Sequence, residues 1–333
     1  MQPKSDYAII LSCSPGYGFG MLATMNAMAY FGTDADWEIA YEDFSPEYRE
    51  KVSNSFPFRV NWTKMSDLLT TVNDRRSNSH VAGFCWYWLA YWLMAEKVLL
   101  EKKYKAICVI QADQFVFVNL NEFFRQAERG MMFSSHYNFS RIPLENVVFG
   151  DDKAVWDRGQ CSFFDSVNFI GTESVHAAIP RQTVEFQCED AFRGEANHSV
   201  IALNRAILKY GNKQNVRGLA GHLWGCDAEW GFGKYQLSED GDRIYYWNGE
   251  QTCSWHSRWW QVGRAECEIV QMKRAIAQGT DTDEMQRIWD ICLHNYNLVK
   301  SFMERFNDMR PEIKSDWYQK GPLVRPLRKK ELI

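Results

Sequence analysis

The residue with the clearest chemical use in this chain is Asp113, because of what precedes it. Ile107, Cys108, Val109 and Ile110 form a continuous β-prone run, the pattern of a parallel strand covered on both faces. Gln111, Ala112 and Asp113 follow at once. Open α/β sheets take their ligands at the carboxyl ends of the strands. A carboxylate there can hold a hard divalent cation whose other ligands are substrate phosphates, chemistry that suits nucleoside diphosphate compounds. The plainer reading is a solvated turn carboxylate.

A second candidate lies near the amino terminus. The segment Ser14-Pro15-Gly16-Tyr17-Gly18-Phe19-Gly20 follows a strand over Tyr7–Ser12. Its glycines are spaced G-x-G-x-G rather than as the dinucleotide fingerprint, and no Lys completes a phosphate loop. A strand, a glycine turn and a helix still bring bare backbone amides close to an anion. The same residues also make a tight turn that packs strand to helix.

Later candidates are more scattered. His256 lies among Trp255, Trp259 and Trp260, where a structural histidine is as natural as a ligand. Arg258 has the geometry to grip a phosphate bidentately or to sit on the surface. Cys253, His256 and Cys267 lack a fourth zinc ligand at a meaningful spacing. Asp281-Thr282-Asp283 precedes an apolar-periodic stretch and reads as first-turn capping. Glu189, Asp190 and Glu195, then Trp224, Asp227, Glu229 and Trp230, supply the acids and aromatic platforms that an acceptor hydroxyl needs. Asp190 and Asp227 are the candidate catalytic bases, and each reads equally well as a solvated acid.

The elements that must position these groups alternate along the chain. Tyr7–Ser12 is a strand, and a helix from Met21 to Phe31 stops at Gly32. Trp37–Tyr41 is a short strand. Pro46–Val52 is helical, with Ser45 as its N-cap. Residues 53–80 are polar and loop-rich. An aromatic helix over 83–101 leads into the strand before Asp113, a second apolar strand follows, and a helix begins at Asn121. Strands are expected at Met131–Ser135 and Ser162–Gly171, with a lid or insertion over 138–157. Ser199–Tyr210 is a helix ended by Gly211. Glu239–Asp242 is a hairpin turn, residues 264–308 form amphipathic helices, and Pro311 opens a basic tail.

Bulk properties narrow the class. The chain has 333 residues, 46% hydrophobic and 15% aromatic, ample for a core. A net charge of −4 with a pI near 6.0 argues against strong nonspecific binding to polyanions. The nine cysteines never occur as Cys-x-x-Cys and read as reduced, buried thiols of a cytoplasmic protein. Met1–Asp6 is polar, unlike a secretory leader. The apolar run Gly83–Ala95 is shorter than the ~20 residues a spanning helix needs, so no transmembrane segment is expected. The cluster Arg325, Arg328, Lys329 and Lys330 is a solvated end or a contact for acidic lipid or nucleic acid.

Taken together, residues 104–124 resemble the sugar-nucleotide-binding strand of GT-A glycosyltransferases, closest to the glycogenin-like and lipopolysaccharide-glycosyltransferase-like group, family 8. That group carries Asp-Ala-Asp where this chain has Gln111-Ala112-Asp113, and Asn121-Glu122-Phe123-Phe124 matches its helix start. Residues 7–32 and 36–52 are similar to its first two strand–helix units. Cys161–Gly171 takes the place of its FNSGV strand, reading Asp165-Ser166-Val167, and no Asp-Gln pair precedes Leu203-Asn204. Cys253–Ser257 falls where the group has a metal-binding His.

The resemblance implies an α/β fold, with a Rossmann-like mixed, mainly parallel sheet flanked by helices and a helical C-terminal extension. It implies a catalytic domain over 1–262, with a nucleotide-sugar half (about 1–125) and an acceptor half (126–262). Residues 263–310 would be the extension and 311–333 the tail. It implies transfer of a sugar from a nucleoside diphosphate donor, UDP-linked, to a hydroxyl of a glycan, a protein or a hydroxylated DNA base, with retention at the anomeric carbon. Ser12, Cys13, Tyr17, Gly18, Gln111, Ala112, Asp113 and Arg258 would bind the nucleotide sugar. Asp113, His256 and Gln111 would hold Mn²⁺ or Mg²⁺.

Gln111 offers a neutral oxygen where the group has a carboxylate. Two unit charges ~4 Å apart interact by roughly 4 kcal/mol at an effective dielectric of ~20, so the metal site is expected to be weakened or dispensable. A non-catalytic GT-A relative acting as a binding protein is the alternative. So is a nucleotidyltransferase, although that class carries Lys or Arg in the loop after the first strand, and Ser14–Gly20 has neither.

Overall fold

The structure, a computed structural model, describes residues 4–73, 85–101, 103–134, 149–150, 167–173, 175–192, 198–212, 214, 216–224, 234–256 and 282–314. It is an α/β fold on a seven-stranded, mainly parallel sheet flanked by helices. The first unit runs β1 (Tyr7–Cys13), α1 (Gly18–Phe31), β2 (Asp36–Tyr41), α2 (Pro46–Ser55) and β3 (Val60–Lys64). Next come α3 (Met65–Asn73), α4 (Cys85–Leu100), β4 (Ala106–Ile110), β5 (Gln114–Val116), α5 (Asn121–Ala127) and β6 (Met131–Ser134). β7 (Val167–Gly171), α6 (Ile179–Phe192), α7 (His198–Tyr210), β8 (Val216–Leu219) and the short α8 (Gly221–Trp224) follow. The chain continues through β9 (Gln236–Leu237), β10 (Ile244–Tyr245), β11 (Ser254–His256) and α9 (Thr282–Asn307).

The strand order is β3-β2-β1-β4-β7-β6-β8. β7 is the reversed strand, antiparallel to β4 and to β6, while the other pairs are parallel. Every residue of β4 is buried, and alternation divides them between two cores. Ile107 and Val109 join the layer of α4, α6 and α7. Cys108 and Ile110 join that of α1, α2 and α5.

Helix α1 is apolar all round because it is covered twice. Met21, Leu22, Met25 and Met28 pack toward the sheet. Phe19, Ala23 and Ala27 pack into a third core with Phe115 and Phe117 and with Val299, Phe302, Met303 and Phe306 of α9. The Thr24 hydroxyl satisfies the β5 backbone from within α1, donating to the Gln114 carbonyl at 3.1 Å and accepting from the Val116 amide at 3.3 Å.

Several expectations need correction. Residues 53–80 are not simply loop, since β3 and α3 lie within them; β3 is an edge strand and only Val60 in it is buried, so its polar sequence hid it. Helix α1 begins at Gly18 rather than Met21, and the glycine segment is a 3-10 turn over Pro15–Tyr17 followed by helix. The strand before Asp113 has one antiparallel neighbour.

Other readings match. Gly32 caps α1 in the left-handed region at φ 73°, and the Ser45 side chain accepts from the Tyr48 amide to start α2. β9 and β10 form the expected hairpin, and Thr282 and Asp283 lie in the first turn of α9. Pro311–Ile313 form a 3-10 turn with Ile313 buried, so the chain past α9 is anchored there. The insertion over 138–157 and the basic cluster lie outside the described residues, save Phe149 and Gly150. Among the described residues, no helix is long and apolar enough to cross a membrane.

Candidate functional site

Strand order decides where a ligand can enter. From β1 the chain moves to β2 and then β3 on one side, and later places β4 on the other. The order therefore reverses between β1 and β4, and in open α/β sheets ligands bind in the crevice at the carboxyl ends of such a strand pair. The two strands run in parallel through Ile10 and Val109. The residues just past their ends are Ser14–Tyr17 on one side and Gln111–Asp113 on the other, the two segments singled out by sequence.

The segments touch. A Cβ built on Gly20 would lie 2.5 Å from the Ala112 carbonyl oxygen, so only glycine lets α1 approach the acidic turn this closely. The Asp113 carboxylate is near enough to Cys13 to reinforce burial in holding that thiol protonated. The turn is closed by the Gln114 amide donating to the Gln111 carbonyl at 3.0 Å. The first turn of α1 carries no acidic residue and no side chain caps it; the Gly18 amide is taken by the Pro15 carbonyl of the preceding 3-10 turn.

β5 supplies the other wall. It pairs antiparallel with β11, placing Ser254 opposite Val116, Trp255 opposite Phe115 and His256 opposite Gln114. Residue 256 is thereby one ladder position from Asp113. The pairing is pinned by the Gln114 side-chain amide, which donates to Ser254 Oγ at 2.7 Å and to the Trp224 carbonyl at 3.1 Å. No local signal in the sequence announces this pairing.

The named residues fare differently. Ser12 and Cys13 lie on β1 with their side chains turned inward. The Ser12 hydroxyl, 2% exposed, donates to the Tyr87 carbonyl at 2.7 Å, and the Cys13 thiol reaches the Ser14 carbonyl at 3.3 Å. Gly18 is buried at the start of α1. Tyr17, Ala112 and Asp113 are half-buried at the crevice, and Gln111 is 7% exposed. Asp190 lies near the end of α6, and its neighbour Glu189 pairs with the buried Arg205 at 3.2 Å. Asp227, Arg258 and the FNSGV-like Asp165-Ser166 lie outside the described residues. Cys253 is a free thiol, and the described residues hold no cluster of three His, Cys, Asp or Glu side chains.

Two residues at the crevice were not singled out by sequence. Tyr87, near the start of α4, lies with its ring centroid 6.4 Å from that of Tyr17 and donates its hydroxyl to Glu42 Oε2. Glu42 follows β2 and donates its backbone amide to the Cys13 carbonyl at 3.1 Å. Burial, and then the Glu42 carboxylate, raise the Tyr87 phenol well above its ordinary value. Their signal is positional, since an acid at the tip of the second strand is a nucleotide-sheet feature.

Comparison with known protein families finds no match, and comparison with characterised proteins finds none. Among solved structures, the glycosyltransferase GlyE of Streptococcus pneumoniae TIGR4 shows 9% identity at a TM-score of 0.38, over 65% of this chain and 45% of that one. Mouse xyloside xylosyltransferase 1 shows 10% identity at 0.42, over 64% and 84%. The galactosyltransferase LgtC, solved with donor and acceptor sugar analogues, shows 11% at 0.40, over 63% and 72%. The chain thus spans less than half the length of GlyE. Likeness of this size carries no argument about activity.

Proposed function

We propose that this chain is a GT-A-type glycosyltransferase taking its sugar from a nucleoside diphosphate donor, UDP-linked, and passing it to a hydroxyl. The observation that carries the reading is the meeting of α1 and the Gln111–Asp113 turn at the β1/β4 crevice, across the Gly20–Ala112 contact. A diphosphate needs positive potential and a counter-charge. The start of α1, whose first turn carries no acidic residue, offers the first through its dipole, and a cation held by Asp113 offers the second.

The donor set suits such a cation. Asp113 gives a half-exposed carboxylate, Gln111 a neutral oxygen, and His256 stands one ladder position away. Hard divalent ions accept few protein ligands when phosphate oxygens complete the shell. Bound there, Mn²⁺ or Mg²⁺ would offset the charge that develops on the leaving diphosphate.

The residues of the chain do the positioning. Tyr17 and Tyr87 present aromatic faces for the base or ribose, and the closely packed α1 start fixes the phosphates. Asp190 and Asp227 are the proposed acceptor-side acids, and Arg258 the proposed phosphate partner. Holding acceptor and anomeric carbon in line is itself worth a large share of a transfer barrier. The 1–262 catalytic unit, its two halves, the 263–310 extension and the cytoplasmic setting belong to the same proposal.

The test is thermal unfolding with a panel of nucleotide sugars, each with and without Mn²⁺, on wild type and Asp113→Ala. A ligand that binds the native state raises the melting temperature by mass action. The expected result is a metal-dependent rise with a UDP-sugar that Asp113→Ala abolishes. No rise with any nucleotide sugar would end the transferase reading, and a rise indifferent to metal and to Asp113 would leave a binding protein.

A further inference from the structure

Glu42 occupies an unusual position for a surface acid. It ends the second strand about 20 residues beyond the glycine turn, where nucleotide-binding sheets of this order place a ribose-binding acid. Asp43, just after it, has φ 58°, a left-handed conformation uncommon outside glycine, and it turns the chain away from the tip. The Glu42 amide is tied to the Cys13 carbonyl at 3.1 Å, so the residue is fixed to the end of β1. Its carboxylate is exposed, yet it is oriented: Oε2 takes the Tyr87 hydroxyl. The Tyr87 backbone carbonyl in turn accepts from the Ser12 hydroxyl at 2.7 Å. Tyr87 thus links the end of β1 to the Glu42 carboxylate. Oε1 makes no hydrogen bond among the described residues.

We propose that Glu42 accepts the ribose hydroxyls of the nucleotide in the β1/β4 crevice, with Tyr87 as the positioning residue that holds its carboxylate toward them. The proposal rests on the reading of that crevice as a nucleoside diphosphate site, and it selects ribonucleotides over their deoxy counterparts. A vicinal diol offers two donors, and a carboxylate with one free oxygen and one shared oxygen accepts both. Hydrogen bonds to an ionised acceptor are the strong kind.

The experiment is calorimetric titration of the full chain with UDP and with 2′,3′-dideoxy-UDP, both with Mn²⁺, for wild type, Glu42→Ala, Glu42→Gln and Tyr87→Phe. Wild type should prefer UDP by about tenfold or more, the scale of one charge-assisted hydrogen bond. Glu42→Ala should bring the two affinities together by weakening UDP alone. Glu42→Gln should keep part of the preference, and Tyr87→Phe should lower it about threefold. The proposal falls if Glu42→Ala keeps the wild-type ratio, or weakens both ligands equally. A wild-type chain that binds neither ligand would overturn the site reading itself, an outcome distinct from a lost ratio. Unchanged melting temperatures confirm that the variants are folded, and Glu42→Gln decides the matter if Glu42→Ala is not.

Discussion

The two ends of β2 hold acids in opposite circumstances. At its amino end Asp36 is fully buried, and its Oδ2 accepts from the Lys4 amide at 2.8 Å and the Ser5 amide at 3.5 Å. Two residues on, Glu38 accepts from the Tyr104 hydroxyl at 2.8 Å and from the Asn61 side-chain Nδ2 at 2.9 Å. Those partners are spent on joining the chain start, β2, β3 and the approach to β4. Past its carboxyl end Glu42 is exposed, and among the described residues only its Oε2 is hydrogen-bonded. Asp113, beyond the end of β4, is likewise half-exposed. The same residue types serve cohesion at one edge of the sheet and, on our reading, recognition at the other. Burial separates them.

The comparison breaks most readily at Asp36. Asp36→Ala should cost about 3 kcal/mol, since it removes a buried carboxylate that holds the Lys4 and Ser5 amides and the Tyr104 hydroxyl, and urea unfolding measures it. A loss below about 1 kcal/mol would mean that the buried acids are not the cohesive ones. Gly20→Ala should come next, costing about 2 kcal/mol through overpacking against the Ala112 carbonyl. It should also weaken any nucleotide bound at the crevice, which calorimetry reads separately.

A pH-dependent effect, confined to alkaline solution, belongs to Cys253, on the wall behind β5. Burial pushes its thiol up from 9.0 to about 12. The native state stays protonated while the unfolded chain ionises from about pH 9, so this stabilisation is whole below pH 9 and lost as the pH climbs toward 12. Replacing Cys253 with Ala should remove about 1.4 kcal/mol per pH unit from the fall in stability within that window, one proton's share. The smallest effect should be that of Asp113→Ala on stability, within about 0.5 kcal/mol, even as metal-dependent binding is lost. A large destabilisation there would move Asp113 into the cohesive group.

Much of the fold was readable because its signals are local. β1, β4, the Gly32 stop, the Ser45 cap and the hairpin around Gly241 each announce themselves within a few residues. β3 escaped because an edge strand need not be apolar, and α6 because Pro180 in its first turn and a polar composition disguised it. The Asp113 turn was legible, since an acid after a buried strand is conspicuous. The rest of the crevice was not. Tyr87 and Glu42 meet across 45 residues, and Gln114 reaches Ser254 across 140. Gly20 stood out as a glycine, but its reason, the Ala112 carbonyl, is not its neighbour in sequence.

The β5–β11 pairing has a consequence for how the molecule is made. Its first partner strand leaves the ribosome more than a hundred residues before the second, and the helix that packs over both is later still. Until β11 has emerged the wall opposite Asp113 is missing, and until α9 follows, Phe115 and Phe117 lack the ring contacts of Phe302 and Phe306. A nascent chain halted before β11 would carry a finished β1–β4 sheet and an unfinished crevice. On our reading of the crevice, competence to bind arrives only once β11 is made, and a nascent chain exposes part of its aromatic strand until α9 follows, the interval in which protection by a chaperone matters most.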